Sequence, residues 1–419
     1  MRAVIVGLGY VGLPLANAAS RSGIQVVGLD LNTAIVEGLN AGRSHIDDLS
    51  AENIADLLKT GFRATSDAAV IADADIVVIC VPTPLDEDGR PNLAAVIGAS
   101  KSIAANLTTG TTVVLESTTY PGTTEEILKP LLEAGGLVCG TDFYLAFSPE
   151  RIDPGNKTYD ITNTPKVVGG VTPESTTKAA AFYSQFISEV VPASGPREAE
   201  MAKLLENTYR HVNIALVNEM AQFSHSMGID IWEVVRLAKT KPFGFQSFSP
   251  SAGVGGHCIP IDPNYLAYKV RAELDRPFRF VELAEEINQS MPTFVSRRLQ
   301  DLLNDQYKAV RGSKVLLLGV TYKANISDRR ESPAVPLAKR LLSMGCILQY
   351  NDPTVSDWEV DGTTIDRVTD LATGCADADA VIIVQAHSPY LDDPTVITES
   401  GTPVLDTTGK FRGASVELL

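Results

Sequence analysis

Six residues near the start of the chain, Gly7-Leu-Gly9-Tyr-Val-Gly12, restrict the fold more than any other stretch. They follow an apolar run, Ala3-Val-Ile-Val-Gly7, and lead into residues of helical character. A second apolar run, Gln25-Val-Val-Gly-Leu-Asp30, ends on an aspartate eighteen residues beyond Gly12. A glycine turn between strand and helix, with an acidic residue closing the next strand, is what a dinucleotide-binding βαβ unit requires. The glycines permit a tight turn and close backbone approach, and the helix N-terminus offers N–H groups and partial positive charge to a pyrophosphate. Pro14 fits the first helical turn, where a missing donor matters least. Asp30 can accept hydrogen bonds from a ribose diol and would repel a 2′-phosphate. Leu31 and Asn32 supply no cation for that phosphate, so NAD is favoured over NADP.

The same rhythm continues through Asp75-Ile-Val-Val-Ile-Cys80 and Thr112-Val-Val-Leu-Glu116. Short, almost wholly apolar strands separated by helix-length segments predict a parallel sheet covered on both faces. From Gly195 to about Tyr307 the pattern turns helical. Glu198 to Met227 reads as one uninterrupted helix stopped near Gly228. A second helical pattern runs from about Phe278 to Tyr307 and contains Pro292, which is expected to kink or restart it. Between them, Lys241 to Gly256 forms an irregular loop long enough to suggest function. Strand-like runs return at Lys314–Gly319, Cys346–Tyr350, Ala380–Val384 and Pro403–Asp406. The expected fold class is α/β: two Rossmann-like parallel-sheet domains, 1–195 and 309–419, joined by an all-α central segment, 196–308, with a long helix.

Charge and composition narrow the partners. Among 419 residues, 35 basic and 51 acidic side chains give a net charge of −16. That balance disfavours nucleic acid or an anionic membrane as the main partner, though a local cationic pocket for a small anion remains compatible with it. No apolar run approaches the ~18 residues of a membrane span, and the chain enters a strand at Arg2 without signal-peptide features, so a cytoplasmic enzyme is expected. The five cysteines lack the spacing of a disulfide framework. The five histidines lack ligand spacing and no CxxC occurs, so no metal is expected.

The candidate chemistry lies in four places. Gly253-Val-Gly-Gly-His-Cys258-Ile-Pro-Ile-Asp262 sets a cysteine after a glycine-rich turn and just before a helix start, with Asp262 as cap and Pro263 at the first helical position. A thiol there can be acidified and could add to an aldehyde. It could equally be a small buried filler, the reading given to Cys80, Cys139, Cys346 and Cys375. Lys203 and Asn207, four apart on the long helix, share a face and could donate to an oxyanion, or simply form a solvated face. Glu116-Ser-Thr118 closes a strand at its carboxyl end, where Rossmann ligands bind. Glu150, in Phe147-Ser-Pro-Glu-Arg151, could handle a water or merely pair with Arg151.

These residues, taken in order, resemble the UDP-glucose/GDP-mannose dehydrogenase family along nearly the whole chain. The matching stretches are Gly7 to Pro14, Val81-Pro-Thr-Pro84, Glu116-Ser-Thr118, Ser148 to Gly155, Lys203-Leu-Leu-Glu-Asn207, Gly255 to Asp262, and Lys323 through Asp328-Arg-Arg-Glu-Ser332. The resemblance implies oxidation of a nucleotide-sugar C6 alcohol to the carboxylate with two NAD, and a helical middle that forms a homodimer or a higher homo-oligomer. By the same resemblance Cys258 is the thiol nucleophile, and Lys203 and Asn207 are the oxyanion donors. Asp262 and Thr118 position a base or water, and Glu150 assists thioester hydrolysis. Gly7, Gly9, Tyr10, Val11, Gly12, Asp30, Thr83, Thr118 and Arg330 fall on the cofactor side. Glu150, Arg151, Lys203, Asn207, Gly255 and Lys323 fall on the side of the UDP-sugar. Thr240-Lys-Pro-Phe-Gly-Phe245, Ile261 before Asp262, and the lack of arginine from Lys241 to Gly256 resemble the UDP-N-acetylhexosamine branch, which favours UDP-N-acetylglucosamine. UDP-glucose and UDP-N-acetylmannosamine are the alternatives within the family. A two-electron β-hydroxyacid dehydrogenase, or an NAD-binding protein without turnover, are the alternatives outside it.

Overall fold

Each apolar run singled out above forms a strand, because β-branched and leucine residues buried on both sides of a sheet have no polar face to present to water. The computed structural model describes residues 1–86, 88–153, 156, 158–256 and 259–419. They divide into two compact units, Met1–Glu206 with Asn264–Arg276, and Asn207–Pro263 with Pro277–Leu419.

The first unit is built on eight strands: β1 (Arg2–Val6), β2 (Gln25–Leu29), β3 (Arg63–Thr65), β4 (Ile76–Ile79), β5 (Thr112–Leu115), β6 (Tyr144–Phe147), β7 (Lys166–Gly170) and β8 (Val190–Pro192). Their spatial order is β3-β2-β1-β4-β5-β6-β7-β8. All neighbours are parallel except β6 and β7, which run antiparallel. Every residue of β4 and β5 is buried, as expected of central strands covered on both faces. The strand order reverses between β1 and β4, and in open sheets of this kind ligands bind in the crevice outside the carboxyl ends at that reversal. Because β7 runs opposite to β6, its first residue, Lys166, lies at the edge where β6 ends. The Lys166 ammonium there meets the Glu116 carboxylate at 3.0 Å, and Tyr183 donates its hydroxyl to the same carboxylate. All three side chains are buried. Glu116 is thereby spent on an internal ion pair.

The second unit carries a six-stranded parallel sheet. Its chain order is β9 (Lys314–Leu318), β10 (Ile347–Asn351), a small antiparallel pair β11 (Glu359–Val360) and β12 (Thr363–Thr364), then β13 (Asp366–Arg367), β14 (Ala380–Ile383), β15 (Val404–Asp406) and β16 (Val416–Leu418). The sheet order is β13-β10-β9-β14-β15-β16, a second doubly wound arrangement.

The long helix spans Pro196–Ser226, and Gly228 beyond it takes a left-handed φ of 68°. There Ile229 N–H bonds back to the Ser224 carbonyl at 2.9 Å, closing the helix end. The helix containing Pro292 does not restart there: it runs as one helix over Arg279–Asp305. Buried residues flank the proline on both sides, Val281, Ala284 and Met291 before it and Val295, Leu299, Leu302 and Leu303 after it. Packing of both halves outweighs the one lost hydrogen bond. Asp262 is itself the first helical residue of Asp262–Leu274, with Pro263 second, one position inside the expected cap. No helix among the described residues is long and apolar enough to cross a membrane.

Candidate active site

The first unit gathers its candidate residues at one edge of the sheet. Gly7 follows β1, Asp30 follows β2, Thr83 follows β4, Thr118 follows β5 and Glu150 follows β6, and these five strands are mutually parallel. The fingerprint glycines have distinct jobs. Gly7 has φ of 91°, and a Cβ there would lie 2.7 Å from the Cys80 carbonyl oxygen. A Cβ on Gly12 would lie 1.8 Å from the Gly7 carbonyl oxygen, whereas one on Gly9 would meet nothing within 4 Å. Gly7 and Gly12 therefore close the turn, and Gly9 faces open space at the start of helix Gly12–Arg21. Tyr10 and Val11 pack, half-buried, against the core beside it. Asp30 accepts the Leu8 N–H at 2.9 Å and the Asn32 N–H at 2.8 Å, which fixes its carboxylate at the end of β2. Thr83 is buried, and its carbonyl accepts the Tyr265 hydroxyl at 3.0 Å. Together these residues fit a dinucleotide: glycine backbone open to a pyrophosphate, and a fixed carboxylate for a ribose diol.

This geometry makes a test. A methyl at Gly12 has no room, so Gly12→Ala is expected to lower the melting temperature and NAD affinity together. Gly9→Ala adds its methyl to open space; NAD affinity should fall about tenfold or more while melting is unchanged. Thermal melts and fluorescence titration with NADH read both. Wild-type NADH affinity in the Gly9 variant would show that the cofactor does not approach that turn.

Beside this row lies a cluster that the sequence alone left open. Lys203 is buried, not part of a solvated face. Its ammonium donates to Thr118 Oγ1 at 2.7 Å and stands 3.9 Å from Glu150 Oε2. Glu150 is buried and accepts the Ile152 N–H, and Arg151 pairs instead with Glu206 and with the Pro165 carbonyl. Burial pushes the Glu150 carboxyl above its ordinary value, opposed by the Lys203 charge. Burial moves a carboxyl upward, the direction an acid–base group working near neutral pH needs, and the lysine beside it holds part of that shift back.

In the second unit Asn207 donates its amide to Asp262 Oδ2 at 2.6 Å, which ties the long helix to the start of helix Asp262–Leu274. The glycine turn before the cysteine packs on the segment after β9. A Cβ on Gly255 would lie 2.5 Å from the Glu331 carbonyl oxygen, and one on Gly256 would lie 2.8 Å from the Tyr322 ring. Gly256 N–H reaches the Arg330 carbonyl at 3.3 Å. Lys323 is therefore next in sequence to a residue against the turn. The Arg330 guanidinium meets the Asp328 carboxylate, with Nη2 to Oδ2 at 2.6 Å. Cys258, with His257 and Gly155, lies outside the described residues. The four described cysteines carry protonated thiols: burial raises Cys139, Cys346 and Cys375 to about 11 and Cys80 well above its usual value. Among the described residues no group of histidine, cysteine or carboxylate side chains could hold a metal.

A parallel sheet with a glycine turn at its switch point, and a lysine–carboxylate cluster along the same edge, define an NAD-binding dehydrogenase. Residues 1–187, 197–290 and 316–412 match, in turn, the NAD binding, central and UDP binding domains of the UDP-glucose/GDP-mannose dehydrogenase family. The chain belongs to that family and is an NAD-dependent UDP-sugar dehydrogenase. It is 35% identical over 393 residues to a UDP-N-acetyl-D-glucosamine 6-dehydrogenase of Pseudomonas aeruginosa, covering 93% of this chain and 91% of the relative. It is 32% identical over 392 residues to a UDP-N-acetyl-D-mannosamine dehydrogenase of Pyrococcus horikoshii, covering 93% and 90%. A solved structure of UDP-D-ManNAc dehydrogenase from Pyrococcus horikoshii superposes with a TM-score of 0.90 at 30% identity, covering 100% of this chain and 98% of that one.

Proposed function

We propose that this enzyme oxidises the C6 hydroxyl of a UDP-N-acetylhexosamine, UDP-N-acetylglucosamine first among them, to the uronic acid in two successive steps. The observation that carries the reading is the buried Lys203–Thr118–Glu150 cluster at the carboxyl edge of the dinucleotide sheet. NAD would supply the hydride acceptor, one NAD for each of the two oxidations. Gly7, Gly9, Tyr10, Val11, Gly12, Asp30, Thr83, Thr118 and Arg330 would hold it. Arg151, Gly255 and Lys323 would hold the sugar nucleotide. Lys203 and Asn207 donate hydrogen bonds to the oxygen on C6 as negative charge develops there. Thr118 and Asp262 orient the water or base that takes the hydroxyl proton. The Cys258 sulfur adds to the C6 aldehyde as a thiohemiacetal, which the second oxidation turns into a thioester, so the aldehyde stays bound between steps. Glu150 then draws a proton from water, which attacks the thioester carbon; the carboxylate leaves and the thiol is restored.

The absence of arginine from Lys241 to Gly256 and the names of the relatives support an N-acetylated sugar. A panel of UDP- and GDP-sugars, assayed for NAD reduction and acid formed, tests this. The expected result is two NADH per acid with UDP-N-acetylglucosamine or its manno epimer as the best substrate. One NADH per product, or a clear preference for UDP-glucose, would overturn it.

We also propose a cytoplasmic homodimer, in which residues 1–195 bind NAD, 196–308 pair the subunits and carry the cysteine loop, and 309–419 take the nucleotide sugar. Met201, Leu205, Tyr209, Leu216 and Phe223 of the long helix are all exposed, and at 100° per residue they fall on one stripe. Leu205→Glu with Leu216→Glu is expected to give monomers in sedimentation equilibrium, and a dimer that survives both changes would remove the helix from the interface.

A further inference from the structure

The connection after β14 grips the loop after β9, and that loop carries Lys323. Gln385 donates its side-chain amide to the Tyr322 carbonyl at 2.9 Å. Asn325 N–H donates to His387 Nδ1 at 3.0 Å, and Ser388 N–H donates to Asn325 Oδ1 at 2.7 Å. Thr321 donates its hydroxyl to the Lys323 carbonyl at 2.8 Å. On its other side the His387 ring sets Nε2 3.2 Å from Asp352 Oδ2, the same oxygen that accepts the Val320 N–H at 2.7 Å. His387 and Asp352 are both 0% exposed.

Two features set this network apart from ordinary core filling. Asn325 has φ of 65°, a left-handed conformation rare outside glycine, and the two bonds from the β14 connection hold it there. His387 faces Asn325 through one ring nitrogen and Asp352 through the other. Because Nδ1 accepts a backbone N–H, its proton sits on Nε2, aimed at Asp352. An apolar side chain of similar size would fill the space without the desolvation that a buried imidazole and carboxylate incur. What it could not do is fix the course of the backbone from Val320 to Asn325.

We propose that His387, backed by Asp352, is a positioning residue that clamps the Lys323 loop for the sugar nucleotide. The proposal rests on the reading above that Lys323 holds this substrate. Replacement chemistry separates the clamp from bulk packing. Asparagine at this position puts Oδ1 near where Nδ1 sat and can still accept the Asn325 N–H. Glutamine reaches the Asp352 side and leaves Asn325 without its acceptor. With UDP-N-acetylglucosamine as probe, His387→Gln is expected to raise KM and the dissociation constant about tenfold, with NAD affinity unchanged and kcat within about twofold. His387→Asn should stay near wild type.

Equal effects of the two variants, or parallel losses of NAD and sugar-nucleotide affinity, would show a merely structural histidine. Should His387→Gln not fold, exposed Asn325 decides: Asn325→Gly keeps the left-handed backbone and removes only the Ser388 link. It should raise the same KM about threefold, and an unchanged KM overturns the clamp. Lys323→Ala keeps the two ideas apart. If it binds the probe like wild type, the reading of Lys323 falls and the clamp with it. If it weakens binding and His387→Gln does not, the clamp alone falls.

Discussion

Cys258→Ser is expected to bind NAD and the UDP-sugar normally yet to form no acid, with turnover to the carboxylate lower by about a thousandfold or more. The serine hydroxyl is a far weaker nucleophile at neutral pH than a thiol, so C6 is not captured as a thiohemiacetal and the second oxidation has no thioester to form. Product analysis by mass spectrometry alongside NADH absorbance reads this directly. Acid produced at the wild-type rate, with two NADH per molecule, would remove the sulfur from the reaction and leave a generic dehydrogenase.

Glu150→Gln should fail at a different point. Its amide cannot accept the proton of the attacking water, so hydrolysis slows by about a hundredfold to ten-thousandfold. The acyl group then stays on Cys258, and the intact protein gains the mass of a nucleotide-sugar acyl group after a single turnover. Burial raises the Glu150 carboxyl, so its basic form is lost as pH falls through a value above the ordinary carboxylate range. The acid limb of the wild-type hydrolysis rate should therefore sit above pH 4.5, the usual value for a glutamate, and disappear in the variant. Free turnover without an adduct would assign hydrolysis to another group.

The parts of this protein legible in its sequence are those set by local rules. The glycine turn, Asp30 and the apolar strands depend on residues within a few positions of each other, and all formed where expected. Lys203 was not legible in this way. Helical spacing gives its face, but its burial depends on Thr118 and Glu150, which lie far off in the chain. Arg151 beside Glu150 suggested a pair that does not form, because Arg151 meets Glu206. The Lys166–Glu116–Tyr183 group was missed for the same reason, since its members come together only through the reversal of β7. β13 and β16, of two and three residues and carrying charged side chains, offer no apolar run to read. Pro292 does not restart the helix, because packing on both sides of it holds the two halves in one run. His387 gave no signal at all, because a single histidine before Ser388-Pro carries no motif.

The raised thiols have a practical side. Four of the five thiols are held protonated near neutral pH, the form that reacts slowly with electrophiles. With Cys258 as the reactive thiol proposed above, a maleimide offered under those conditions meets little competition, and the label taken up per chain becomes a count of unshielded Cys258 positions. Substrate that shields this position should then be visible as missing label, a readout that needs no turnover.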